Sequence, residues 1–249
     1  MRRVPGHELL ARIGKKTLRP GGKVATEWLI ERAGISKNSN VLEVACNMGT
    51  TLIDVASKYG ANIVGVDMSE NALKTAASNI RDAGFEDAIE LVKADARNLP
   101  FEDECFDVVI NEAMLTMLSN EDKKKAIGEY FRVLKNGGVL LTHDVNLPNE
   151  DPELIGALRK VINIPATPLS EDHWVQLFKN VGFDHCEIKT GRMAFMSEEG
   201  LVRDEGFEGM MRIYENASKD PNYEQFLEMK KFFMENEDKF CYIALVSRK

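Results

Sequence analysis

The chain has 249 residues, 44% hydrophobic and 29% charged, the balance of a folded globular protein with room for one large core. Its formal net charge of −8 is the wrong sign for a general nucleic-acid binder, which needs a basic face to displace counterions. Cys46, Cys105, Cys186 and Cys241 form no C-x-x-C pair, so neither a zinc site nor a redox motif is expected, and a reducing cytoplasm suits them.

Residues 1–34 read as a helical lead-in broken at Arg19-Pro20-Gly21-Gly22, after which Val24, Trp28, Leu29 and Ala33 recur at helical spacing. Arg2, Arg3, Arg12, Lys15, Lys16 and Arg19 make this segment locally basic. No long apolar run or signal-peptide pattern opens the chain, so no membrane span and no export are expected.

Val41, Leu42 and Val44 form a short apolar run with β-branched character, the pattern of a buried strand. The turn Ala45-Cys46-Asn47-Met48-Gly49 follows, then a helical pattern through Leu52, Ile53, Val55 and Ala56 that closes at Gly60. A second apolar run, residues 63–66, stops at Asp67. Strand, turn, helix and strand make one βαβ unit of about 30 residues with a right-handed crossover. The turn sets helix N-terminal N–H groups beside the strand's carboxyl end, where a polar or anionic group is favoured. Asp67 at the next strand end is placed to take two ribose hydroxyls.

A dinucleotide needs G-x-G-x-x-G at such a turn. This one has an acid, Glu43, and a single glycine, Gly49. The acid repels a pyrophosphate but can pair with an ammonium group. With these residues the chain resembles the class I S-adenosylmethionine-dependent methyltransferases, small-molecule enzymes of the methyltransferase type 11 kind, whose first motif is acidic-x-Gly-x-Gly-x-Gly. Glu43 and Gly49 match it; Ala45 and Asn47 replace the first two glycines, and asparagine is the non-glycine residue that best tolerates positive φ.

Further along, Ser69 reads as the N-cap and Gly84 as the stop of a helix carrying Ala72, Leu73, Ala76, Ala77 and Ile80 on one face. A third strand over 89–92 ends in Lys93-Ala94-Asp95-Ala96. Asp95 with a small residue after it resembles the family's adenine-binding position. Asn98-Leu99-Pro100-Phe101 and Phe106-Asp107 resemble its lead into a fourth strand, 106–111. Asn111 and Glu112 lie at the switch-point rim, where ligands of open α/β sheets sit. Asn120 reads as a helix cap, and Asn136-Gly137-Gly138 as a sharp turn before a fifth strand over 139–142. His143 and Asp144 emerge at that strand's carboxyl end. Two helical patterns between 150 and 180 precede a sixth strand over 183–189, and a last strand covers 240–246.

The resemblance implies an α/β, Rossmann-like, seven-stranded, mostly parallel sheet with one antiparallel edge strand and helices on both faces. It divides the chain into a lead-in over the cofactor site, 1–34, and a methyltransferase domain, 35–249. Residues 190–239 form a helical insertion before the last strand, rich in Met and Phe. Most of those apolar residues are expected to pack a core, with one or two lining a pocket. The implied cofactor is S-adenosylmethionine. It would be held by Gly21, Gly22, Glu43, Ala45, Cys46, Asn47, Gly49, Asp67, Met68, Asp95, Ala96, Asn111 and Glu112, with no metal.

Methyl transfer from a sulfonium is mainly a matter of alignment and water exclusion. Where the acceptor needs a base, His143 leads by its place on the rim, with Asp144 and Glu112 as alternatives and His173 behind them. A small-molecule acceptor in the cytoplasm is expected, without nucleic acid or membrane, and a homodimer is left open. A dinucleotide-dependent oxidoreductase of similar fold and a non-catalytic cofactor-binding protein are the rival readings.

Overall fold

The computed structural model describes residues 3–249; Met1 and Arg2, the start of the basic lead-in, lie outside the described residues. The strands are β1 (Asn40–Val44), β2 (Asn62–Asp67), β3 (Ile89–Lys93), β4 (Phe106–Glu112), β5 (Leu134–Asn146), β6 (His185–Arg192) and β7 (Cys241–Arg248). They form a seven-stranded sheet in the order β3-β2-β1-β4-β5-β7-β6. Pairing is parallel from β3 through β5, and β7 runs antiparallel to both β5 and β6. The one reversed strand is therefore next to the edge, and β6 is the edge itself. The strand order turns outward in both directions at β1 and β4, so their carboxyl ends flank the crevice in which such sheets bind ligands.

Successive residues of the inner strands face opposite sides. Val41, Val108 and Leu141 pack under α2 (Gly22–Arg32), α3 (Thr50–Tyr59) and α4 (Glu70–Ala83). Leu42, Val109 and Leu140 pack under α5 (Asn120–Val133) and α7 (Glu171–Val181), where Tyr130 and Trp174 are fully buried. Runs buried on both faces are what a parallel sheet requires.

A third apolar cluster lies beyond the end of β5, around Val145 and Leu147. It joins α1 (Gly6–Arg12), α6 (Pro152–Ile162), α8 (Glu198–Lys219) and α9 (Tyr223–Glu235), the last two lying between β6 and β7. The basic lead-in is held down by acids from these elements: Arg3 by Glu228, Arg12 by Asp220, and Lys15 by Glu205. No helix among the described residues is long and apolar enough to cross a membrane.

Two local expectations need correction. The α5 cap is Ser119, whose hydroxyl accepts the Asp122 N–H, and Asn120 is the first helical residue. Asn136-Gly137-Gly138 does not precede β5 but lies inside it, bulging out where the β4 register jumps from Phe106–Leu134 to Val108–Val139, with Gly137 at φ +79°. The Ser69 cap on α4 and the left-handed Gly84 after it are as the sequence indicates.

Candidate active site

The turn after β1 curls through three left-handed residues at alternate positions, Ala45 (φ +60°), Asn47 (φ +48°) and Gly49 (φ +77°). These are the three glycine positions of the motif that the sequence resembles. Only Gly49 takes this shape freely; a residue with a Cβ gives up about 1–2 kcal/mol there. Three anchors hold the loop in place. The Cys46 N–H donates to Val66 O at 3.0 Å, and Asn47 N–H donates to Asp67 Oδ2 at 3.0 Å. The Ser69 N–H donates to Asp67 Oδ1 at 2.8 Å. Asp67 is thus fixed by one bond to each oxygen, and each oxygen keeps lone-pair capacity for a ligand hydroxyl.

Behind the turn lies a buried charged cluster. Glu112, at the end of β4, is 2.8 Å from the Arg19 guanidinium and 3.0 Å from His143 Nδ1. It also accepts hydroxyl bonds from Thr26 at 2.5 Å and Thr51 at 3.1 Å. Burial pushes the Glu112 carboxyl up, but Arg19, His143 and Thr26 outweigh it and hold the group down at about 2. Glu43, equally buried, has no such partner set, and its Oε2 has no hydrogen bond. Burial, reinforced by the negative Glu112, pushes Glu43 up to about 8. Two neighbouring acids are therefore driven apart, Glu112 charged from about pH 2 upward and Glu43 holding its proton up to about pH 8.

The expected base is differently employed. His143 is fully buried; its Nε2 accepts the Gly21 N–H at 2.8 Å while Nδ1 faces Glu112. With Nδ1–H donated to Glu112 and the Nε2 lone pair used by Gly21, neither nitrogen is left for a substrate. His143 holds the Arg19–Gly22 segment against the sheet. Gly21 and Gly22 are needed for that packing as well: a Cβ would come within 2.7 Å of Tyr242 at Gly21 and 2.3 Å of Asp204 at Gly22. The Gly22 N–H goes to Arg19 O, so the N–H groups of both glycines are used within the protein.

The other expected residues are dispersed around these. Asp95 is clamped by the Arg97 side chain, which holds its carboxyl below the usual range, and Ala96 beside it is buried. Met68 is exposed, and Cys46 is buried with its thiol pushed up by burial. Asn111 is fully buried with Oδ1 unpaired. Asp144 is fully buried, its oxygens taking the N–H groups of Thr116 and Val145 at 3.1 and 2.8 Å. Burial raises its carboxyl against those bonds. His173 is an exposed partner of Glu150, remote in role from the rest.

Next to the polar cluster is an apolar cavity of about 90 Å³. Pro20 and Ala113, on its wall, adjoin Arg19 and Glu112 in the chain. The remainder comes from α1 and Leu18 after it, Thr116 and Met117 after β4, the end of β5, α6 with Ile164 and Ala166 after it, and the segment after β6, which contributes Met193, Phe195, Met229, Phe233 and Phe240. More of the Met and Phe residues line a pocket than the sequence suggests, while Phe207, Met211 and Met234 face solvent. Sequence reasoning missed Arg19, Thr26 and Thr51 as members of the polar cluster, and His7 on the cavity wall. Nothing local marks them, beyond histidine's rarity at four in the chain.

Residues 41–138 match the family described as "Methyltransferase domain". The chain belongs to the class I S-adenosylmethionine-dependent methyltransferases. It is 51% identical over 245 residues to an uncharacterized protein of Haemophilus influenzae, covering 98% of each chain. It is 30% identical over 174 residues to "Methyltransferase GfsG" of Streptomyces halstedii, covering 69% of this chain and 62% of that one. In fold it is similar to a phosphoethanolamine N-methyltransferase of Haemonchus contortus, solved with phosphomonomethylethanolamine and S-adenosylhomocysteine. That likeness has a TM-score of 0.77 at 19% identity, over 97% of this chain and 56% of the other.

Proposed function

We propose that this methyltransferase binds S-adenosylmethionine at the tip of β1 and methylates a small-molecule acceptor in the cytoplasm. The observation that carries the reading is the buried, unpaired Glu43 Oε2 beside the left-handed turn, with the Asp67 carboxylate pinned across from it. An orphaned buried acid is costly unless a partner completes it, and an ammonium group does so. Glu43 would hold the cofactor's amino group, Asp67 its ribose hydroxyls, and Asp95 with Ala96 its adenine. The cofactor brings an electrophilic methyl group, so the chain's own part is binding, orientation and exclusion of water.

The polar cluster serves orientation. Glu112, Arg19 and His143 fasten the lead-in over the sheet's carboxyl edge, and the Arg19 charge balances Glu112 so that Glu43 alone awaits a cation. The adjoining apolar cavity supports a small acceptor. Thermal-shift measurements with S-adenosylmethionine, S-adenosylhomocysteine and NAD test the reading. Stabilisation by the first two and not by NAD is expected; the reverse order would favour a dinucleotide enzyme. Turnover across an acceptor panel then tests catalysis.

A further inference from the structure

The acceptor cavity is almost wholly aliphatic, aromatic and methionine-lined, so its few polar groups define what it can take. Among the described residues its wall carries no lysine or arginine. Lys15 lies beyond Phe195 at 5.9 Å from the ring centre and pairs with Glu205, and Arg159 donates its Nε–H to Ala166 O from outside the wall. The one carboxylate on the wall, Asp144, already takes two backbone N–H groups. An anionic acceptor would meet an acid and no countercharge. A fully apolar one would leave unsatisfied the other polar side chains of the wall: Thr116, whose unpaired Oγ1 lies beside the Asp144 carboxylate, and His7. The His7 side chain projects from α1 into the cavity wall, and its Nδ1 is buried with no hydrogen-bond partner. Burial holds the imidazole below its usual titration range, against the pull of Glu8 and Asp67, so the ring is neutral at physiological pH and can offer a lone pair.

We infer that the cavity selects a compact, uncharged, largely apolar acceptor bearing one protic group, a hydroxyl or an amine, and that His7 Nδ1 accepts the hydrogen bond from that group. The site's demand is steep, because an analogue lacking the group leaves a buried nitrogen unpaired. The inference rests on the methyltransferase reading for the word acceptor, but the selectivity it assigns to His7 is a binding property.

Calorimetric titration of the full chain, saturated with S-adenosylhomocysteine, with phenol, aniline, toluene and benzoate tests it. Phenol or aniline should bind about tenfold more tightly than toluene, and benzoate should bind least. The protic probe should also move the His7 ring-nitrogen resonance. Phenol against aniline tells hydroxyl from amine. In His7→Phe the preference over toluene should vanish, while His7→Gln, whose carbonyl oxygen can accept the same bond, should restore it. Equal binding of phenol, aniline and toluene, no binding of any of them, tightest binding of benzoate, or a preference that survives His7→Phe would overturn the inference. Should the phenylalanine variant not fold, the resonance shift in the native protein decides. Failure to bind S-adenosylhomocysteine at all would instead strike the cofactor reading, which these probes leave untouched.

Discussion

The Arg19 guanidinium lies 2.8 Å from Glu112 Oε2, with both side chains buried and the two residues 93 positions apart in the chain. That contact joins the lead-in to the end of β4. Thr26 extends it, accepting from Arg19 at 2.6 Å and donating to Glu112. Removing one partner of a buried pair strands the other charge, at a cost of about 3–5 kcal/mol. Arg19→Leu should therefore lose that much stability in urea unfolding. Arg19→Leu combined with Glu112→Gln should lose less than the sum of the two single changes, since the stranded charge is gone.

Glu43 gives a pH dependence of definite sign. Its folded value near 8 stands above the ordinary 4.5, so between them the folded state holds a proton that the unfolded chain has released. Its contribution to stability is fully present below about 4.5 and is lost as pH rises toward 8. Glu43→Gln should flatten that fall, and the variant should melt several degrees above the native protein at pH 8. A ligand ammonium favours the charged carboxylate, so cofactor binding should release a proton and tighten with rising pH across the window. Calorimetry in two buffers of different ionisation enthalpy reads the proton directly.

The local elements were legible because their causes are local. The strand runs, the Ser69 cap, the Gly84 stop and the shape of the turn at Asn47 and Gly49 follow from spacing and from tolerance of positive φ. Asp67 was legible for the same reason, as the last residue of a strand. The partners of His143 were not. Gly21 is 122 positions away and Glu112 31 away, and no periodicity encodes which acid meets which base across a sheet. His143 reads as a rim base from its strand end, yet burial and two bonds turn it into a fastening. The long β5 was hidden because glycines at a bulge look like glycines at a turn.

The cavity wall offers a stability test separate from the cofactor. Phe233 packs edge-on against Phe195 with ring centres 5.0 Å apart, and both line the cavity. Phe233→Ala should cost about 3–5 kcal/mol, measured by denaturant unfolding. The enlarged apolar space should accept toluene, which should recover part of the lost melting temperature. S-adenosylhomocysteine affinity should be unchanged.

Asp67 carries the claim on which the functional reading stands, since its carboxylate is both the anchor of the β1 turn and the assigned seat of the ribose. Titration calorimetry of S-adenosylhomocysteine into the native protein and into Asp67→Ala is the most direct measurement. One-to-one binding by the native protein, weakened at least about tenfold in a variant that remains folded, is the predicted result. No binding by the native protein, or equal binding by the two, would contradict it.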